Sequence, residues 1–168
     1  MTADTHVPRR AADLPAELWD AVDAADVVMH AGDWVGADLV DRLAARSKRL
    51  VACYGNNDGP DVRARLHEVA QVELDGLRFV VVHETGAAAS RDRRMAARYP
   101  NCHVLVFGHS HIPYDSVVER PSGGGTMRLL NPGSPTDRRR QPHHTYLTAE
   151  IADGELRDVV LHCLPPRH

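Results

Sequence analysis

The sequence predicts an α/β domain whose strands form a mixed sheet, split into two sheets with helices outside. Three observations predict it. Short apolar runs alternate with helical patterns through the first two thirds of the chain. The last third changes to paired strands around Asp-Gly and Gly-rich turns. No internal repeat and no linker interrupts the 168 residues, a length that suits one domain, residues 1–168, with a sizeable core.

Each element follows from its local pattern. Met1-Thr2-Ala3 reads as the tail of a strand whose first half is cut short, an odd length for a central strand. Val27-Val28-Met29 is the next strand. Ala37 to Arg46 places Leu39, Val40 and Leu43 at helical spacing. Leu50 to Tyr54 is a strand, and Val62 to Val69 reads as a short helix. Val72 to Leu74 and Leu77 to Val82 flank Asp75-Gly76, a strong hairpin signal. Ser90 to Tyr99, polar and rich in Ala and Arg, reads as an exposed helix, and Val104 to Phe107 as a strand. Tyr114 to Arg120 and Thr126 to Leu130 are strands joined by Pro121-Ser122-Gly123-Gly124-Gly125. Asn131-Pro132-Gly133-Ser134 is a turn, with a further role in the site wall left open. Tyr146 to Ile151 and Leu156 to Leu161 flank a second Asp-Gly turn.

Composition excludes several classes. Hydrophobic residues at 43% and charged residues at 26% are ordinary for a globular chain. A formal net charge of -3 offers no global basic field for nucleic acid or anionic membrane. Aromatics make up only 5%, and no basic stripe interleaves with them, which argues against a nuclease groove. No apolar run spans a bilayer, and no secretory core follows Met1. Cys53, Cys102 and Cys163 lie far apart without a CxxC, which reads as a reducing, cytoplasmic setting. The 11 histidines stand out, since imidazole is the commonest metal ligand.

Their positions supply the chemistry. Five apolar strands run into Asp, Asn or His: Asp4-Thr5-His6, His30-Ala31-Gly32-Asp33, Gly55-Asn56-Asn57-Asp58, His83-Glu84 and Gly108-His109-Ser110-His111. Ligand sites in α/β sheets lie beyond the carboxyl ends of strands, so these ends should converge. Carboxylate, imidazole and amide oxygen suit Mn²⁺, Fe²⁺ or Zn²⁺. Asp-x-His and His-x-His put alternate side chains on one side of an extended segment. A carboxylate such as Asp33 can bridge two ions, and ions roughly 3.5–4 Å apart clamp the oxygens of a phosphoryl displacement.

The order D-x-H, G-D, G-N-x-D, H, G-H-x-H resembles the calcineurin-like metallophosphoesterases. The short chain and Gly55-Asn56-Asn57-Asp58 look most like the small prokaryotic phosphodiesterase branch, which also includes the metal-poor retromer subunit of eukaryotes. Asp4-Thr5-His6-Val7-Pro8-Arg9-Arg10 to Leu14-Pro15, and Asn131-Pro132-Gly133-Ser134, are similar to that branch, so the resemblance runs from Asp4 to Ser134. It implies an α/β fold of four layers, an αββα sandwich of two mixed β-sheets flanked by helices. It implies that Asp4, His6 and His111 hold a first metal, that Asn56, His83 and His109 hold a second, and that Asp33 bridges them. The implied activity is a metal-dependent phosphodiesterase, in which a hydroxide bridging two divalent ions, Mn before Fe, Zn or Ni, attacks a small phosphate-ester substrate. Asp33, Asn57 and Asp58 form the implied catalytic set. The competing reading is a protein-binding scaffold of the retromer-subunit type. A homo-oligomer is compatible with either.

Three departures from the family pattern matter. Asn57 stands where the family has a histidine, and an amide cannot deliver a proton as imidazolium does. Glu84 follows His83 where many relatives have His-Gly-His, adding a carboxylate that changes metal preference or repels a dianionic substrate. The short first strand bears on the placement of Asp4 and His6. Other residues read more plainly. His30 suits packing or support of a ligand, and Asp58 suits an anchor more than a ligand. Arg9 and Arg10 read either as solvated loop residues or as a phosphate clamp. Arg138-Arg139-Arg140 reads as a solvated turn, with phosphate attraction as the alternative. His67 belongs on a helix surface, and His103, His143, His144, His162 and His168 are structural or solvent-facing.

Overall fold

The computed structural model describes residues 1–121 and 123–165; Ser122 of the Gly-rich turn and His168 lie outside the described residues. Helix α1 (Ala16–Ala24), strand β1 (Val28–Ala31), helix α2 (Ala37–Arg46) and strand β2 (Leu50–Cys53) come first. A short helix α3 (Pro60–Arg63) leads into strands β3 (Val69–Leu74) and β4 (Leu77–Val82). Helix α4 (Arg91–Arg98) and strand β5 (Val104–Val106) follow, then β6 (Tyr114–Glu119), β7 (Thr126–Asn131), β8 (His144–Ala152) and β9 (Glu155–Leu164).

Two sheets form. In one, the order is β3-β4-β5-β7-β6, parallel at its centre and antiparallel at both edges. In the other, β1 and β2 run parallel and β8 and β9 form an antiparallel hairpin. Met1 and Thr2 join the two halves. Met1 exchanges both backbone hydrogen bonds with Leu147, at 2.8 and 3.0 Å. Thr2 donates to Met29 O at 2.9 Å, and Ala31 donates to Thr2 O at 3.0 Å. The short first segment therefore sits centrally between β8 and β1, and places Asp4 at the edge of a hydrogen-bonded ladder.

The period of two along the strands creates the layers. Val28, Ala52 and Tyr146 face outward onto Leu18, Trp19 and Val22 of α1 and Leu39, Val40 and Leu43 of α2. Their neighbours Met29, Val51 and Leu147 face inward and meet Phe79, Val81, Val104 and Val106 of the second sheet. Val80, Val82, Leu105 and Leu129 point to the far side, onto Met95 and Ala96 of α4. Three apolar cores thus separate four layers, the expected αββα sandwich. Both Asp-Gly turns have positive φ at each central residue, Asp75 47° and Gly76 77°, Asp153 56° and Gly154 72°, the requirement of the tight hairpin. No helix among the described residues is long and apolar enough to cross a membrane.

The structure corrects three element assignments and the place of His67. Helix α1 was not expected. It buries Leu18, Trp19 and Val22 and starts after Pro15, where a missing N–H costs no helix bond. The helix expected over Val62 to Val69 stops at Arg63, because Val69 already pairs with Val82 in β3. His67 therefore lies on a bridge beside Cys53 and not on a helix. Helix α4 is exposed on one side only, since Met95 and Ala96 are buried.

Candidate metal centre

The parallel strands β1, β2, β4 and β5 end on the same side, and their following loops converge with Asp4 and His6. All seven proposed ligands meet there. Asp4 Oδ1 lies 3.3 Å from His111 Nε2, and His6 Nε2 lies 3.3 Å from the same nitrogen. Asn56 Oδ1 lies 3.0 Å from His83 Nε2 and 3.1 Å from His109 Nδ1. Asp33 stands between these groups. Its Oδ2 is 3.6 Å from His6 Nε2, and its Oδ1 is 3.3 Å from His83 Nε2. One carboxylate thus turns an oxygen to each set. Asp4, His6 and His111, and likewise Asp4, Asp33 and His83, bring their ligand atoms within 4.8 Å of one another, and all five are buried.

Second partners fix the imidazoles. His83 Nδ1–H donates to Ala31 O at 2.8 Å, which aims Nε2 at Asp33. His111 Nδ1–H donates to Asp137 O, which aims Nε2 at Asp4 and His6. Burial lowers the pKa of His6 and pushes His111 down to about 4, so both rings are neutral and able to ligate at neutral pH. His83 differs. Burial opposes its charge, but Asp33 and Asp4 beside it outweigh burial and raise its pKa. Burial pushes Asp4 up to about 8. Burial also works against the Asp33 carboxylate, yet hydrogen bonds from His83 and Asn57 hold it well below the usual range.

These residues fit a metal pair on the structure's own terms. Asp4 is wholly buried, and its Oδ2 has no hydrogen-bond partner among the described residues. An anionic oxygen left so in a protein interior costs free energy unless a cation meets it. Backbone strain points the same way. Asp4, His6, Asp33, His109 and His111 all adopt positive φ, between 46° and 70°. Left-handed non-glycine residues cost about 1–3 kcal/mol each and persist where surrounding structure dictates them, commonly at functional sites.

With this geometry in place, comparison identifies the chain. The sequence model of the calcineurin-like phosphoesterase superfamily domain matches residues 1–154. The protein belongs to that superfamily. A probable metallophosphoesterase of Methanothermobacter thermautotrophicus is 30% identical over 138 residues, covering 80% of this chain and 74% of that one. A phosphodiesterase of Methanocaldococcus jannaschii is 25% identical over 119 residues, covering 64% and 66%. The solution structure of a Thermotoga maritima protein superposes with a TM-score of 0.73 at 33% identity, over 97% of this chain and 96% of that one.

In this calcineurin-like phosphoesterase the remaining predicted residues take distinct places. Asp58 acts as an anchor through the backbone. Its carboxylate accepts the backbone N–H groups of Asp33, Val35 and Gly55 at 3.1, 2.7 and 2.7 Å, clamping the loops after β1 and β2 together. Asn57 donates from Nδ2 to Asp33 Oδ2 at 2.6 Å and from its backbone to Oδ1 at 3.0 Å. His30 is buried, stacks on Trp34 at 3.4 Å between ring centres, and meets Thr5 Oγ1 at 3.0 Å, so it supports the D-x-H segment. Arg10 pairs with Asp137 at 3.3 Å, whereas Arg139 donates to His109 O at 3.3 Å and lies at the mouth of the site.

Several supports escape sequence reasoning. Ser134 Oγ donates to Asp4 O at 2.7 Å, and Asn131 Nδ2 donates to Gly108 O at 3.0 Å, so the Asn-Pro-Gly-Ser turn is part of the site wall. Arg63 donates to Asp58 O and Gly55 O, bracing the loop after β2. The backbone carbonyl of Asp137 sets the His111 ring. Only the Asn-Pro-Gly-Ser motif signalled any of these.

Crowding makes Gly55 indispensable here. A Cβ at Gly55 would fall onto Asp33 Oδ1 and lie 2.5 Å from Asp33 N, which is backbone and cannot swing aside. Gly55→Ala is expected to lower stability by about 1–3 kcal/mol, the usual cost of overpacking, and to weaken Mn²⁺ binding. Thermal melts and metal titration check this. A variant that melts and binds like the parent would contradict the crowding.

Proposed function

We propose that this protein is a metal-dependent phosphodiesterase acting on small or activated phosphate esters. The observation that supports it best is the division of Asp33's two oxygens between the Asp4–His6–His111 and Asn56–His83–His109 sets. Those sets would each hold one divalent ion, supplying water activation and neutralisation of phosphoryl charge. Mn²⁺ suits a donor set of carboxylate, imidazole and amide without thiolate, with Fe, Zn or Ni as ions the same donors accept. The similarity to an archaeal phosphodiesterase favours a diester over other phosphate esters. A cytoplasmic setting suits Cys53, Cys102 and Cys163, all free thiols.

The chain's own residues set the limits of the reaction. Asp58 and Arg63 hold the Asp33 and Asn56 loops in register. Arg139 places a cation at the mouth, where it favours an anionic substrate. Asn57 can donate a hydrogen bond but cannot protonate a departing alkoxide. Esters of acidic alcohols such as nitrophenol should therefore turn over best.

The test is hydrolysis of bis(4-nitrophenyl) phosphate with Mn²⁺, with chelator, and after Mn²⁺ is restored. Activity should fall at least about 100-fold on chelation and return with metal. The scaffold reading makes the opposite forecast. A protein that takes up no transition metal on titration and cleaves no ester would decide for the scaffold.

A further inference from the structure

We infer that Glu84 makes this centre discriminate by phosphate charge, favouring monoanionic diesters over dianionic monoesters. The inference deepens the phosphodiesterase reading and rests on it. Glu84 directly follows His83 at the end of β4, and its Oε1 lies 3.5 Å from His109 Nδ1. It therefore stands on the rim of the Asn56–His83–His109 set, half exposed, and completes no core. Its loop is built rather than loose. Arg94 of α4 donates to the carbonyls of Thr85, Ala87 and Ala89 at 2.7, 2.6 and 2.9 Å, tying residues 85–89 to the helix.

The space beside Glu84 fits an ester arm. A cleft of about 240 Å³ adjoins the second ligand set through Asn56 and His83, and its charged lining is Arg63, Glu68, Glu84 and Arg98, of which Glu84 directly follows the ligand His83. An ester held at that set with one arm in the cleft would lie beside the Glu84 carboxylate. Charge then separates the substrates. A phosphomonoester carries about −1.5 to −2 at neutral pH, because its second pKa lies near 6, whereas a diester carries a single charge. Glu84 adds one negative charge on the rim of the second ligand set, opposite in sign to Arg139 at the mouth, and its repulsion of an incoming phosphate scales with the phosphate's own charge. The dianion therefore meets up to about twice the repulsion that the monoanionic diester meets.

The experiment compares the Mn²⁺-loaded parent with Glu84→Gln, which keeps shape and removes charge. Two readouts are taken near pH 7: the ratio of kcat/KM for 4-nitrophenyl phosphate to that for its bis ester, and the affinity for inorganic phosphate by calorimetry. Both should rise about fivefold in Glu84→Gln at low salt, and both gains should shrink at about 0.5 M salt, as an exposed charge requires. Glu84→Asp should keep the parental ratio. An unchanged ratio with unchanged phosphate affinity overturns the inference. So does loss of one metal equivalent in Glu84→Gln, which would make Glu84 a ligand. A parent that cleaves neither ester overturns the phosphodiesterase reading instead, and phosphate affinity alone then decides for or against Glu84.

Discussion

Asp33→Asn is expected to lower kcat/KM for an aryl phosphodiester by about 10³-fold or more, equivalent to about 4 kcal/mol of transition-state stabilisation. Asp33 is wholly buried, and each of its oxygens faces a different ligand set. An amide offers one acceptor and one donor in place of two anionic oxygens. Its NH₂ group would also meet an existing donor, since Asn57 donates to Asp33 through both its backbone and its side chain. The fold should survive the change. Asp33 belongs to none of the three apolar cores, and its backbone N–H remains held by Asp58. Steady-state rates, metal content and a melting curve on one preparation separate the outcomes. A folded variant that keeps activity within about tenfold of the parent would remove Asp33 from the chemistry.

Much of this centre was legible because parallel strands aim their ends at one place. The polar residues after Met29, Tyr54, Val82 and Phe107 can be assigned to one side of the molecule from the sequence alone. Two sheets with helices outside were legible from the strand–helix alternation and the closing hairpins, and the four layers from the family resemblance; the structure carries them through strands such as β4, where Val81 faces one core and Val80 and Val82 the other. Other features depend on contacts that sequence spacing does not encode. Val62, Leu66 and Val69 are spaced as on a helix, yet pairing of Val69 with Val82 wins. Helix α1 is only nine residues long, too short for Leu18, Trp19 and Val22 to announce a period. Positive φ at Asp4, His6, Asp33, His109 and His111 goes against residue preference, so only the assembled loops could reveal it. Asp137 acts through a backbone carbonyl, which leaves no trace in residue type.

Metal affinity should rise steeply with pH, by about 100-fold between pH 6 and pH 8. The direction follows from which ligands carry protons. Burial pushes His111 down to about 4, so it is neutral across this range, and burial lowers His6 as well, so neither ring sets the slope. Asp4 is the opposite case. Burial pushes it up to about 8, so without a cation it holds a proton that a metal must expel. Below pH 8, each unit of acid then costs about tenfold in affinity for that one proton. His83, raised by Asp33 and Asp4 beside it against the effect of burial, is a second group that must lose a proton to bind metal, and it steepens the slope further. Calorimetric titration with Mn²⁺ in two buffers of different ionisation enthalpy measures the protons released directly. Near pH 7 Asp4 alone should release close to one proton, His83 should add to it, and the total should grow towards pH 6. An affinity that stays flat from pH 6 to pH 8, with no proton release, would mean that Asp4 is not a ligand. The unpartnered Asp4 Oδ2 would then need another explanation, because nothing else among the described residues satisfies it.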